Sequence, residues 1–476
     1  MTAHTFDVVI IGAGPVGENV ADRIVQGGLT AAIVERELIG GECSYWACMP
    51  TKALLRDAAA LRAVRNLPGA DEAVTGDLDI AAVLRRRDAF ASHWKDDGQA
   101  DWLESAGITL FRGEGSIRST RSVQVIGADG ETTVLTARRA VVIATGSSAR
   151  IPDIEGLADA APWTSREAAS AATVPGRLAI IGGGVVATEM ATAFSAFGST
   201  VTVIARNGLL HAVEPFASDL AAKSLRAGGV VLHLDTEPTR VTRDDSGEIQ
   251  LALADGTTLH ADEVLVATGR KPNTSTLGVE NVGLTPGDWL TVDDALRVDG
   301  VAGDWLYAAG DVNHRVLLTH QGKYQARVLG DSIVARANGT TLDDAAWGRH
   351  AFTADHRAVP QVIFGDPEIA TVGYTVAEAT RRGLTIRAVE YDLGAVAGAA
   401  LHADGYQGRA LMIVDEDRKV VVGFTVAGPD VAEMLHAATI AIAGEVPLDR
   451  LWHAVPAYPT VSEVWLRLLE TYGRDA

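Results

Sequence analysis

The chain holds two cysteines, Cys43 and Cys48, in the run Gly40-Gly41-Glu42-Cys43-Ser44-Tyr45-Trp46-Ala47-Cys48-Met49-Pro50-Thr51-Lys52. A disulfide between them would close so small a loop that chain entropy gains only about 2 kcal/mol from it. A chain of 476 residues hardly needs that staple, and a reducing compartment opposes it. The pair therefore reads either as redox chemistry or as two buried, inert thiols. Five positions apart, the sulfurs can meet if the helix carrying them bends locally. A helix N-terminus at that point would favour a thiolate.

Glycine spacing supplies the second kind of chemistry. Gly12, Gly14 and Gly17 suit a tight turn, close approach to a pyrophosphate and helix-on-strand packing. Glu35 follows about twenty residues on, where a carboxylate can accept from ribose hydroxyls. Gly182, Gly184 and Ala187 repeat the pattern, but the next strand ends Thr202-Val203-Ile204-Ala205-Arg206, with no acid at its tip. The Arg206 guanidinium can take a ribose 2′-phosphate bidentately, with no carboxylate at the strand end to oppose it. NADPH is thereby favoured over NADH; the bland alternative is a surface charge in a promiscuous site.

These residues need elements to hold them. Phe6–Ile11 reads as a buried parallel strand, followed by the first glycine loop, a helix to about Gln26 and a strand over Thr30–Val34. Arg177–Ile181, the second loop, a helix over Thr188–Phe197 and a strand over Thr200–Ile204 repeat the plan, so two dinucleotide sites are expected. Short apolar runs end at Thr145-Gly146 and at Gly269. Ile80–Asp97 has helical periodicity, and its Arg85-Arg86-Arg87 run reads as a solvated helix face. From about Phe352 strands (Leu411–Asp415, Val420–Val426) alternate with helices (Val431–Ala443, Val464–Tyr472), as in a separate α+β domain.

Composition narrows the partners. A 47% hydrophobic chain of this length supports several cores, on the order of three domains. Its formal net charge of −20 repels phosphate backbones and anionic lipid, so neither nucleic acid nor a membrane is expected as a partner. No window reaches about 18 apolar residues. Met1-Thr2-Ala3-His4 has no basic n-region, so a cytoplasmic protein without a signal peptide is expected.

The cysteine run resembles the redox motif of the pyridine nucleotide-disulfide oxidoreductases, which include dihydrolipoamide dehydrogenase, glutathione reductase and mercuric reductase, and the likeness covers nearly the whole chain. The resemblance implies an α/β fold with two Rossmann-like FAD and NAD(P) dinucleotide-binding domains plus a C-terminal α+β dimerisation domain. The boundaries expected are 1–150 and 278–347 for the two parts of the FAD and central domain, 151–277 for the NAD(P) domain and 348–476 for dimerisation. Cys48 would be the flavin-proximal charge-transfer thiol, Cys43 the interchange thiol, and Lys52 the lysine beside the flavin, paired with Glu189. Tyr307-Ala308-Ala309-Gly310-Asp311 matches the second FAD contact, with Asp311 on the ribityl chain. Thr145, Gly146, Gly269 and Gly310 join the cofactor-binding residues in this reading. His320 sits where the lipoamide branch has a histidine near the flavin, although a lone histidine is more often structural. Phe364–Gly373 is close to the dimer-domain signature. No metal site is expected.

The chain also departs from the family pattern. Tyr45 and Ala47 replace the usual Asn and Gly, with Trp46 between them, and that bulk near the interchange thiol counts against the usual substrate. The His-Pro-Thr segment that supplies a base across the dimer is here Tyr458-Pro459-Thr460, with Glu463 kept. A phenol with a pKa of roughly 10 is a poor proton acceptor at neutral pH, and no geometric reason lets His453 substitute. Tyr472-Gly473-Arg474-Asp475-Ala476 ends without the extra cysteine pair of mercuric reductase. The function implied is a homodimeric FAD-dependent NAD(P)H oxidoreductase, passing hydride from NADPH through flavin to a Cys43–Cys48 disulfide and on to a small-molecule acceptor. The alternatives are a dihydrolipoyl dehydrogenase, a quinone or metal-ion reductase acting directly from the flavin, and a non-enzymatic redox sensor or scaffold.

Overall fold

The computed structural model describes residues 2–474; Met1, and the Asp475 and Ala476 that close the cysteine-free tail, lie outside the described residues. The chain divides into two compact units, one of residues 1–50, 88–150 and 270–355 and one of 51–87, 151–269 and 356–476.

In the first unit the β-branched run ending at Ile11 forms the centre of a seven-stranded sheet. Thr2–Ile11 lies parallel to Ala31–Glu35 on one side and to Thr132–Ile143 on the other, with Ile10 opposite both Ile33 and Val142. Thr109–Arg112 and Leu306–Ala308 extend the parallel part, and Ser122–Ile126 and Glu114–Ser119 add an antiparallel ribbon. The central strand starts earlier than its apolar run, because Thr2–Thr5 pairs in the sheet while exposed and so carries no hydrophobic signal. Helices Pro15–Gln26 and Thr319–Ala337 pack together on this unit. Ile10, Ile24, Ile33 and Leu329 are fully buried in one core cluster, each contributing about 2 kcal/mol by burial.

In the second unit a four-stranded parallel sheet runs in the order Val231–Leu234, Thr200–Ala205, Arg177–Ile181, Glu263–Val266. The helix after the second glycine loop spans Val185–Ala196, starting three residues before the expected Thr188. A five-stranded antiparallel sheet contains Arg409–Asp415 and Val420–Gly428 at its centre and carries helices Leu435–Ala443 and Val464–Tyr472. The segment before Leu435 is a 3-10 turn over Ala432–Met434 rather than the start of the expected longer helix.

Two expectations fail around the arginine run. The helix begins at Ile80 but stops at Phe90, because Ser92, His93 and Trp94 take positive φ values of 48°, 52° and 54°. A right-handed helix cannot pass through that conformation. Nor is the run a solvated face. Arg85 is exposed, Arg86 lies 3.7 Å from the Asp57 carboxylate, and Arg87 is buried. Arg87 donates to the carbonyls of Ala169 at 2.6 Å and Ala171 at 3.0 Å, tying this helix to the chain end of Ser165–Ser170. Replacing Arg87 by Met would strand those carbonyls and lower the unfolding free energy by about 2 kcal/mol. Arg85→Met should stay within about 0.5 kcal/mol of the parent in the same urea titration.

Candidate active site

The first glycine loop turns directly out of the central strand. Gly12 has φ +102°, and a Cβ there would lie 2.5 Å from the Ala144 oxygen, so only glycine lets the two strand ends approach. Gly17 packs against Gly12, whereas Gly14 faces open space at the N-terminus of Pro15–Gln26. Glu35 is drawn into the loop itself. Its carboxylate accepts from the Ala13 N–H at 2.7 Å and the Glu37 N–H at 2.8 Å, and a carboxylate has lone pairs left for ribose hydroxyls.

A cavity beside the loop is lined by Gly12, Glu35, Gly113, Thr145 and Asn273, among others. Asn273 donates to the Thr145 carbonyl at 2.9 Å, while the buried Thr145 hydroxyl has no partner. A helix N-terminus open at Gly14, an acid at the strand end and an orphaned hydroxyl fit a bound dinucleotide. Gly146 carries φ +67° just beyond. Asp311 accepts from the Ser147 hydroxyl at 2.6 Å and lies 3.7 Å from the Arg270 guanidinium, next to Gly310 in the same turn. His320 is exposed in the first turn of Thr319–Ala337.

The cysteine run bends where the sulfurs require it. A short helix ends at Tyr45, Trp46 leaves helical geometry at φ −135° and ψ 0°, and a new helix begins at Cys48. Neither cysteine is in a disulfide, and both are half-buried. The Cys48 sulfur lies 3.4 Å from the Thr319 hydroxyl. The Cys43 thiol is pushed up, first by its hydrogen bond to the Cys48 sulfur, then by burial and by charge on Cys48; Thr319 and Lys323 act the other way. Negative charge therefore rests on Cys48 before Cys43, at a helix N-terminus that favours it. The Tyr45 ring is fully buried against the half-buried Trp46, with centroids 5.6 Å apart, and burial pushes its phenol up to about 12.

In the second unit Lys52 and Glu189 meet at 2.7 Å. Glu189 is buried, and its other oxygen accepts from the Phe364 N–H at 3.0 Å. The Lys52 ammonium also stands 5.1 Å from the Phe364 ring centroid, a favourable cation–π placement. The second glycine loop mirrors the first. A Cβ on Gly182 would meet the Ala267 oxygen at 2.2 Å, Gly184 opens at the start of Val185–Ala196, and Ala187 is buried under it. Gly269 has φ +119° at the end of its strand's loop. Arg206 is two-thirds exposed, and Glu237 lies 3.5 Å from it. The expectation of an unopposed guanidinium is thus corrected: the opposing carboxylate comes from the loop after the neighbouring strand Val231–Leu234, where a reading of one strand end cannot see it.

Tyr458 is 75% exposed, in a stretch where His453 and Val455 are exposed too. Glu463 is buried, with Arg467 donating to one oxygen and no partner on the other. Tyr458 and Glu463 belong to the second unit and the cysteines to the first. Among the described residues no cluster of three or more His, Cys, Asp or Glu is placed to hold a metal ion. No helix among them is long and apolar enough to cross a membrane.

A family model described as pyridine nucleotide-disulphide oxidoreductase matches residues 6–326, and the family's dimerisation domain matches residues 359–468. The chain belongs to the pyridine nucleotide-disulphide oxidoreductases. It is similar to mercuric reductase of Acidithiobacillus ferrooxidans, at 32% identity over 98% of this chain and 83% of that protein. It is also similar to dihydrolipoyl dehydrogenase of Chlamydia pneumoniae, at 30% identity over 97% of this chain and 95% of that one. The solved structure of the Cu(II) complex of HOCl-induced flavoprotein disulfide reductase RclA from Escherichia coli superposes with a TM-score of 0.83 at 23% identity, covering 98% and 99% of the two chains. That last likeness is one of fold. The chain is accordingly an FAD-dependent oxidoreductase with a C-terminal dimerisation domain.

Sequence reasoning missed three groups of this oxidoreductase. Thr319 touches Cys48, and Ser147 and Arg270 hold Asp311; none lies in a recognisable spacing. The third is Glu18, half-buried in the first turn after the glycine loop. Burial pushes its carboxyl up to about 7, against Lys323, which lowers it, and with Glu35, which raises it. Between the ordinary value of 4.5 and about 7 the folded chain keeps a proton that the unfolded chain gives up. Stability should therefore fall as pH rises through that window and then level off. Glu18→Gln should flatten this slope in denaturant titrations at about pH 5 and about pH 8. Lys52→Met should strand the buried Glu189 and cost about 2 kcal/mol in unfolding free energy, discounted for the partly exposed lysine.

Proposed function

We propose that this oxidoreductase draws two electrons from NADPH and releases them through Cys48 and Cys43 to a small-molecule acceptor. The observation that carries the reading is the pairing of the two thiols, hydrogen-bonded to each other with Cys48 against Thr319 at 3.4 Å. FAD, when bound, supplies the two-electron carrier between nicotinamide and sulfur. Gly12, Gly14, Gly17, Glu35, Thr145, Gly146, Gly310 and Asp311 would hold it, and the Lys52–Glu189 pair would fix the lysine expected at the flavin. Cys48 keeps the charge and Cys43 keeps the proton until an acceptor arrives.

Gly182, Gly184, Ala187 and Gly269 would take the nicotinamide dinucleotide. Arg206 supports NADPH, with Glu237 as a competitor that a 2′-phosphate must displace. The homodimer is supported by exposed apolar side chains in or beside the dimerisation domain: Leu401 at 70%, Ile440 at 56%, Val455 at 83% and Tyr458 at 75%. The cytoplasmic location and the domain boundaries 1–150, 151–277, 278–347 and 348–476 go with this reading. Tyr458 in place of a base favours an acceptor that does not need a proton taken by the protein.

Anaerobic titration with NADPH tests the reading. A long-wavelength thiolate-to-flavin charge-transfer band should appear, and Cys48→Ser should abolish it; no band in the parent protein would refute the thiol route. A Cys43→Ala/Cys48→Ala double variant that keeps full quinone turnover would instead support transfer directly from the flavin. Arg206→Ala should raise KM for NADPH about tenfold and leave that for NADH nearly unchanged in steady-state assays.

A further inference from the structure

We infer that Asp355 is a positioning residue for the flavin, acting through the buried amide of Gln325 on the Gly310–Asp311 turn. The inference rests on the proposed reading that this turn holds FAD, and it names the groups that keep the turn in shape.

The turn leaves the strand Leu306–Ala308, passes Gly310 at φ +79° and enters a 3-10 turn over Asp311–Asn313. A Cβ on Gly310 would lie 2.8 Å from Val16 Cγ2, so the main chain here runs close against the helix that opens at the first glycine loop. The Gly310 N–H donates to Gln325 Oε1 at 2.9 Å, and the same oxygen takes the Asn313 side-chain amide at 2.9 Å. Asn313 also donates to the Ala308 carbonyl at 3.1 Å and accepts from the Arg315 N–H at 3.0 Å. One amide oxygen therefore clamps the chain from Ala308 to Arg315. Gln325 and Asn313 are both buried, so water is a poor substitute for either.

The other end of Gln325 decides which way its amide faces. Gln325 Nε2 donates to Asp355 Oδ2 at 2.8 Å, and Gln321 Nε2 donates to Asp355 Oδ1 at 2.7 Å. The two glutamines lie one turn apart on Thr319–Ala337, a spacing that puts them on one helix face. With a donor on each oxygen the carboxylate acts purely as an acceptor, and a backbone N–H purely donates. Between these two the Gln325 amide fits in one sense alone, oxygen toward the turn and nitrogen toward Asp355. The segment carrying Asp355 is docked on the same helix. Tyr324 donates to the Ala351 carbonyl at 2.9 Å, and its ring meets Phe352 edge-on at 6.4 Å. Burying a carboxylate costs more than burying an apolar side chain of similar shape; what it supplies here is direction. With the turn fixed, Asp311 stands beside the Ser147 hydroxyl that donates to it at 2.6 Å, and a ligand hydroxyl meets an acceptor that needs no ordering.

The test follows release of FAD from the loaded protein after dilution, read as the rise in free-flavin fluorescence. Asp355→Leu, which offers neither glutamine an acceptor, should speed release about tenfold. Asp355→Asn combined with Gln325→Glu reverses the sense of the relay. The new amide nitrogen at position 355 donates to the new carboxylate at 325, whose other oxygen still takes the Gly310 N–H, and the new amide oxygen keeps Gln321. This double variant should release FAD within about twofold of the parental rate. A plain packing role gives the opposite result, since two buried substitutions then loosen the site more than one. Asp355→Leu releasing at the parental rate, or the double variant releasing as fast as Asp355→Leu, would overturn the role of Asp355. A variant isolated without flavin is read instead by titrating FAD into the apoprotein, with the same order of affinities expected. Asp311→Ala tests the turn itself and should also speed release. A parental rate there would overturn the reading on which the inference rests, so the two failures are distinguishable.

Discussion

Where Gly41 meets Gly14, two backbones touch with no side chain between them. A Cβ on Gly41 would sit 3.1 Å from the Gly14 Cα, and the adjacent Gly40 N–H donates to the Ala13 carbonyl at 2.7 Å. Ala13 in turn donates its own N–H to Glu35. One short stretch of main chain thus joins the start of the cysteine run, the dinucleotide loop and the acid at the end of the second strand. The relation between phosphate site and sulfurs is set by backbone contacts, which have few internal degrees of freedom, rather than by long side chains that would have to be ordered. The positive φ of +107° at Gly40 and +54° at Gly41 turns the chain into the short helix that carries Cys43. A side chain at Gly41 would be strained at φ +54° and would press on the Gly14 main chain.

The break at Trp46 completes the arrangement. A continuous helix would place residues five apart on different faces. Ending one helix at Tyr45 and starting another at Cys48 brings the two sulfurs together and gives the second of them a helix N-terminus. Burying Tyr45 locks the break, since its ring fills space beneath the loop while its hydroxyl donates to the Lys95 carbonyl at 3.3 Å. The net charge of −20 has little bearing on the sulfurs. At a physiological screening length of about 8 Å, the local charges decide: the helix ends and the charge shared by the two sulfurs themselves.

Much of this was legible in the sequence, for reasons that differ by element. Glycine loops after β-branched runs are readable because backbone approach demands the same residues wherever it occurs, and Arg177–Ile181 and Val464–Tyr472 fall where the pattern puts them. The Lys52–Glu189 pair followed from the family motif on residues 137 apart. Arg87 was misread because a charge run looks solvated until its carbonyl partners, more than eighty positions away, are known. Glu237 escaped notice for the same reason, lying in the loop that follows the neighbouring strand Val231–Leu234, some thirty positions from Arg206. Thr319 carries no motif at all. Its helix crosses Pro15–Gln26 at Gly322, and a single glycine inside a helical pattern does not say what it lies against.

Glu463 carries the same logic into the dimerisation domain. Arg467 satisfies one of its oxygens, and the other is buried without a partner. An unsatisfied buried acceptor costs about 1–3 kcal/mol, a cost that only a donor brought to that oxygen removes. In the disulfide-reducing branches of the family, as the resemblance implies, a histidine stands where Tyr458 is, and an imidazole can both give and take a proton. A phenol is a poor proton acceptor at neutral pH. On the proposed reading the protein therefore has a donor, and no acceptor of comparable strength, at the place where a dithiol substrate would have to lose protons. That asymmetry favours reduction of an acceptor over oxidation of a dithiol.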